Sequence, residues 1–234
     1  MEGTDGYKVL QTFISSGLHG SKHGWPTLVY ALTLCRLNDQ SVCLYKKNRG
    51  RHHAEDNMLS FLKEAIVNRL FLSQQLTMYV NYSPCHNCSD LIVKFLHWAE
   101  LHYGINLQLE IAFPALYRIR RPSCEEEGHT HKLADADDHD RNVKGLERLK
   151  GIGVTIRPMN AVDWSTIARG LNVPFVYEGS ARQQEDAVLH KDFKRVVDRE
   201  EGGMNDLVPM LRNVHLRGAV PPQTEDDAFD MSLH

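Results

Sequence analysis

Four side chains in two short stretches have the types and spacing for metal-assisted hydrolysis. "GRHHAEDNML" carries His53, Ala54 and Glu55, and "NYSPCHNCSD" carries Cys85 and Cys88 behind Pro84. One imidazole and two thiolates are donors that hold zinc in a tetrahedron, with the fourth position open for water. Zinc lowers the pKa of such a water to about 7. Glu55, two residues from His53, can reach that water without being a ligand and pass its proton to a ring nitrogen and a leaving amine. A lone HAE is commonplace, and a lone CxxC is more often structural or redox. Both halves in this order, with 28 residues between Glu55 and Pro84, make a strong signal. A structural zinc would need a fourth protein ligand, for which His52 and His86 are the candidates.

The surrounding elements place these residues at helix starts. "TLVYALTLCRL" and "QSVCLY" read as a hairpin. A turn centred on Asp39 would set Cys35 opposite Cys43, with Cα atoms about 4.5–5.5 Å apart. Apolar residues recur at helical spacing from His53 through Met58, Leu59, Leu62, Ile66 and Leu70. "LTMYVNY" reads as a strand, and Ser83 then offers an N-cap with Pro84 as the first helical residue. That helix continues through Cys88, Leu91, Ile92, Phe95 and Trp98. "INLQLEIAF" alternates as a strand from Ile105 to Phe113. "NVKGLERLKGIG" predicts a short helix, "VTIRPM" a strand, and "AVDWSTIARGL" and "ARQQEDAVLHKDFKRVVDREE" two further helices. The helix between the fourth and fifth strands permits a crossover, so those strands can be parallel.

Composition agrees with a domain of this kind. The chain has 234 residues, 42% apolar and 24% charged, enough for one domain with a sizeable core. Residues 1–201 are expected to form it, with an N-terminal helix or loop over 1–26 and a core over 27–201. Residues 202–234, including "GAVPPQTEDDAFD", read as a flexible tail. No membrane span is expected, and the acidic start "MEGTDGYKVLQTF" does not read as a secretory signal. Five cysteines without a disulfide ladder suggest free thiols and a cytoplasmic or nuclear setting. A net charge of −3 sits awkwardly with a nucleic-acid partner.

The HAE and PCxxC pair is the zinc-dependent deaminase motif. From about Thr27 to about Arg199 the chain resembles the AID/APOBEC-like polynucleotide cytidine deaminase family. "SPC", "ALYRIR" and "GLERLKGIGVTI" carry the resemblance beyond the metal motif. It implies an α/β fold: a single cytidine-deaminase-like domain, a five-stranded mixed sheet with helices on both faces, and the last two strands parallel. It also implies zinc (Zn2+) on His53, Cys85 and Cys88, with Glu55 as the catalytic proton carrier. Thr27, Asn48, Ala54, Tyr82, Ser83 and Tyr117 would bind the target nucleotide. Tyr82 stands where the family usually has tryptophan, and the loop after Tyr117 is longer than the family's.

The implied substrate is cytosine in single-stranded DNA or RNA, with Arg49, Arg51, Arg118, Arg120 and Arg121 as candidate nucleic-acid contacts. An RNA adenosine deaminase, another nucleoside or nucleotide deaminase, and a silent zinc-containing binding protein stay open as alternatives. Between Cys124 and Arg141 lies "EEEGHTHKLADADDHD", seven acidic residues against one lysine. Directly after "YRIRRP", this insert over 125–140 would compete with phosphates for the neighbouring arginines.

Overall fold

In a computed structural model of the chain, the residues described are 3–18, 28–37, 40–70, 74–126 and 135–199. A helix α1 (Gly3–Ser15) precedes strands β1 (Tyr30–Leu37) and β2 (Gln40–Lys47), then helix α2 (Ala54–Val67). Strand β3 (Gln75–Val80), helix α3 (His86–Tyr103) and strand β4 (Gln108–Phe113) follow. The chain then forms α4 (Pro122–Glu126), α5 (Ala136–Gly151), β5 (Thr155–Pro158), α6 (Ala161–Gly170) and α7 (Ala181–Phe193), which runs on as a π-helical turn over Lys194–Asp198.

The strands form one five-stranded sheet in the order β2-β1-β3-β4-β5. β1 is antiparallel to β2 and β3, while β3–β4 and β4–β5 are parallel, as the crossover helices α3 and α5 require. This is the mixed α/β sheet expected of a cytidine-deaminase-like domain. Alternation divides its side chains between two cores. Ala31, Met78, Ile111 and Ile156 pack with Met58 and Leu62 of α2, Phe95 of α3 and Leu146 of α5. Leu32, Tyr79 and Ala112 face the other way, onto Phe13 of α1 and Trp164 of α6.

Four local expectations are corrected. The hairpin pairs Cys35 with Val42 and Cys43 with Leu34, one residue out of the register that would oppose the cysteines. With a period of two, that slip sends Cys35 into one core and Cys43 towards the other. All five cysteines are free. Second, α3 starts at His86 with Cys85 as its N-cap, not at Pro84 behind Ser83. Ser83 is held elsewhere: its N–H donates to the Ala115 carbonyl (2.8 Å) and its Oγ accepts from the N–H of Tyr117 (2.9 Å). Third, β4 begins at Gln108 rather than Ile105, because Gly104 closes α3 in the left-handed region (φ 63°) and the chain must still turn towards the sheet. Fourth, α5 starts at Ala136, six residues before Asn142. Asp135 caps it, its carboxylate accepting from the Asp138 N–H at 2.9 Å, so the end of the acidic insert is helical. Residues 127–134 of that insert, Thr27, the turn at Asp39 and the tail over 202–234 lie outside the described residues.

Candidate metal and active site

Parallel strands bring two helix starts to one end of the sheet. His53 is the N-cap of α2 and Cys85 the N-cap of α3, both extended, and neither uses its side chain to cap its helix. Cys88 sits on the first turn of α3 and is buried. His53 Nδ1 lies 3.2 Å from Cys88 Sγ and 3.5 Å from Cys85 Sγ. The three donor atoms all lie within 4.8 Å of one another, the one such cluster among the described residues. His53 itself is exposed, so the cluster opens to solvent on one side.

The electrostatics suit a cation. Cys85 is held down to about 5, chiefly by the hydrogen bond from Cys88 and against the cost of burial. Cys88 is pushed up because it donates that bond and is buried. Two sulfurs that share a proton beside an imidazole would both ionise on a dication. Glu55 lies on the first turn of α2, 3% exposed, and its Oε2 has no hydrogen-bond partner. Burial pushes its carboxyl up to about 7, and the neighbouring Cys85 adds to the rise. Imidazole, two thiolates and a buried carboxylate oxygen without a partner fit a three-ligand zinc with an open fourth position. The alternative fourth ligands are directed elsewhere: His52 Nδ1 pairs with Asp56 at 2.7 Å, and His86 Nδ1 lies 3.4 Å from Asn142 Oδ1.

The remaining candidates divide into those near this end and those with structural work. Tyr82 and Tyr117 meet edge to face, their ring centroids 6.3 Å apart, and the Arg118 guanidinium lies over the Tyr117 ring at 5.4 Å. Asn48 Oδ1 accepts from the Val29 N–H at 2.9 Å, and the Asn48 N–H donates back to the Val29 carbonyl at 3.0 Å. The Asn48 side chain therefore fixes the entrance to β1. Ala54 is fully buried in the larger core. Arg49 and Arg51 are exposed on a turn closed by two backbone bonds between Arg49 and His52. Arg121 departs from expectation. It is turned inward, its Nη1 2.6 Å from Glu185 and its Nε 2.7 Å from Asp192, with 10% of its side chain exposed. Two buried carboxylates hold it as a structural residue. Arg118 pairs with Asp138 at 2.8 Å, and the Arg120 N–H donates to His139 Nδ1 at 3.0 Å.

Four supporting residues went unread in the sequence. Arg182, fully buried on α7, donates to the carbonyls of Ser16 (2.6 Å) and Pro114 (2.9 Å) and to Asp186 (2.8 Å). Asp186 also accepts from Trp164 Nε1 (2.7 Å) and the Tyr177 hydroxyl (3.0 Å). Asn81, at the end of β3, accepts from the Tyr30 N–H (2.7 Å) and donates to Ser16 Oγ (3.1 Å). Asn142 of α5 is buried as well. Spacing could flag Arg182 and Asp186 as an i, i+4 pair, but such pairs are ordinarily exposed.

Fold and site together give the arrangement that the motifs implied: a five-stranded mixed sheet with a His–Cys–Cys cluster able to hold a metal ion. Residues 29–136 match the cytosine deaminase domain of APOBEC3. The DNA dC->dU-editing enzyme APOBEC3 of Cricetulus longicaudatus is 33% identical over 82 residues, 34% of this chain and 19% of that protein. The corresponding Mus musculus enzyme is 30% identical over 82 residues, 34% of this chain and 18% of that protein. The chain thus spans about a fifth of the length of these curated relatives. A solved dCMP deaminase from the cyanophage S-TIM5, in complex with dCMP and dUMP, aligns with a TM-score of 0.34 and 14% identity, covering 67% of this chain and 94% of that one. Over these residues the chain is similar to an APOBEC3 cytosine deaminase domain, in agreement with the resemblance carried by the motifs.

Proposed function

We propose that the protein is a zinc-dependent hydrolytic deaminase that converts cytosine to uracil in single-stranded DNA or RNA. The observation that carries this reading is the buried Glu55 oxygen, without a partner, beside the His53–Cys85–Cys88 cluster. His53, Cys85 and Cys88 would hold a zinc ion, which would supply the Lewis acidity that makes water a nucleophile near neutral pH. Glu55 would take one proton of the attacking water and give it to N3 of the cytosine ring, then take the remaining proton from the hydroxyl on C4 and give it to the amine, which leaves as ammonia as the C4 carbonyl forms. Burial raises the Glu55 carboxyl above the ordinary carboxylate range, which favours its taking up a proton. Tyr82 and Tyr117 would provide aromatic surfaces for a base lifted out of its strand, with Arg118, Arg49 and Arg51 as candidate contacts to its backbone.

The test is incubation of zinc-loaded protein with single-stranded DNA and RNA oligonucleotides, scoring uracil and inosine separately. Uracil in either polymer, absent with Glu55→Ala, supports the reading. Inosine without uracil would assign an adenosine deaminase instead, and neither product from a folded, zinc-loaded chain would leave a binding protein.

A further inference from the structure

We infer that Asn142 is a positioning residue that locks the Tyr117 loop against the metal-binding end of α3, with the first turn of α5 as the loop's second anchor. The inference rests on the deaminase reading above for its functional meaning, but its geometry stands alone. Asn142 is 1% exposed, and both ends of its carboxamide are used. Oδ1 accepts from the backbone N–H of His86 at 3.0 Å, one residue after the ligand Cys85. Nδ2 donates to the carbonyl of Tyr117 at 3.0 Å. One planar group therefore joins the metal helix to the substrate loop. A carboxylate could keep only the first bond, and an apolar side chain neither.

The helix that carries Asn142 is built to come this close. A Cβ at Gly145 would meet Ser89 Oγ at 2.9 Å and His86 Cα at 3.0 Å, so only glycine lets α5 approach the start of α3. From the same helix, Asp138 takes the Arg118 guanidinium at 2.8 Å and His139 Nδ1 takes the Arg120 N–H at 3.0 Å. The loop is thus held at its backbone on residues 117 and 120 and at its side chain on 118. Fixing these points sets the pitch of the Tyr117 ring, which meets Tyr82 edge to face. A nucleotide beside the target must fit that pitch, so α5 governs which neighbours are accepted.

Asn142→Asp separates the two arms, because it retains an acceptor for His86 and removes the donor to Tyr117. In the zinc-loaded full chain, amide hydrogen exchange over 117–121 should rise about tenfold or more. Exchange over 86–103 and zinc content should not change. KM for a single-stranded oligonucleotide should rise about tenfold with kcat within about twofold, and the preference for bases flanking the target should broaden. Asp138→Asn, nearer the surface, keeps the test usable if Asn142→Asp does not fold, and should loosen the same loop by less. Unchanged exchange over 117–121 in the folded variants would overturn the inference, even if deamination is found. If the wild type deaminates nothing, faster exchange in the variants still establishes the lock, and the functional reading alone fails.

Discussion

The His–Cys–Cys cluster end and the Tyr117-loop end of this site are held by different means. The candidate metal ligands His53, Cys85 and Cys88 sit at the starts of α2 and α3, and their position follows from helices that begin at one end of the mixed sheet. The loop over 117–121 depends on side chains far along the chain: Asn142, 25 residues from Tyr117, and Glu185 and Asp192, 64 and 71 residues from Arg121. An end built from helix starts leaves little room for variation. A loop held by individual side chains can be retuned one contact at a time without disturbing the metal.

If that contrast is right, the largest effect belongs to the metal end. Cys85→Ser should abolish zinc binding and all uracil formation, and lower the melting temperature, because metal binding is coupled to folding. Metal analysis and a thermal melt check it. Retention of one zinc per chain would mean that the ligands are assigned wrongly.

Next come the buried charges behind the loop. Arg182→Met leaves Asp186 without its cation in a buried network and should cost about 3–5 kcal/mol in urea unfolding. Arg121→Met should likewise reduce stability, while leaving the salt dependence of oligonucleotide binding unchanged. Arg118→Ala should do the reverse: near-normal stability, and a slope of log affinity against log salt shallower by about one. Equal behaviour of the two arginine variants would erase the distinction between an inward and an outward arginine.

The metal motif was legible in the sequence because few residue types ligate zinc and their spacing is constrained. The helix between the fourth and fifth strands permitted their parallel pairing, and helices on both faces of the sheet were implied by the resemblance. What was not legible turns on single residues. The hairpin register slipped by one position, enough to send Cys35 and Cys43 to opposite faces. Asp135 rather than the apolar pattern sets where α5 begins, so a run of acidic residues that looked like loop is partly helix. Arg121 sits in a basic stretch and cannot be told from its neighbours until α7 brings Glu185 and Asp192 to it. Arg182, 166 residues from Ser16, has no local signature at all.

A smaller effect sharpens the electrostatic side of the comparison. In metal-stripped protein the Glu55 carboxyl is raised by burial from 4.5 to about 7, so the folded state binds a proton that the unfolded state has released. The Glu55 contribution to stability should therefore fall as pH rises from about 4.5 to about 7 and level off above, a change of about 3 kcal/mol at most, against the opposite contribution of Cys85, whose lowered pKa adds stability as pH rises above about 5. Glu55→Gln should remove this part of the pH dependence. A wild-type profile that rises through the same window relative to Glu55→Gln would show Glu55 to be stabilised as a carboxylate.

The most direct test of the central claim is a zinc titration of metal-stripped protein, followed by uracil formation in a single-stranded oligonucleotide. The account predicts activity that rises in proportion to added zinc and saturates at one ion per chain, with no recovery in Cys85→Ser or Glu55→Gln. Full activity without zinc, or no uracil in DNA or RNA at any zinc concentration, would contradict it.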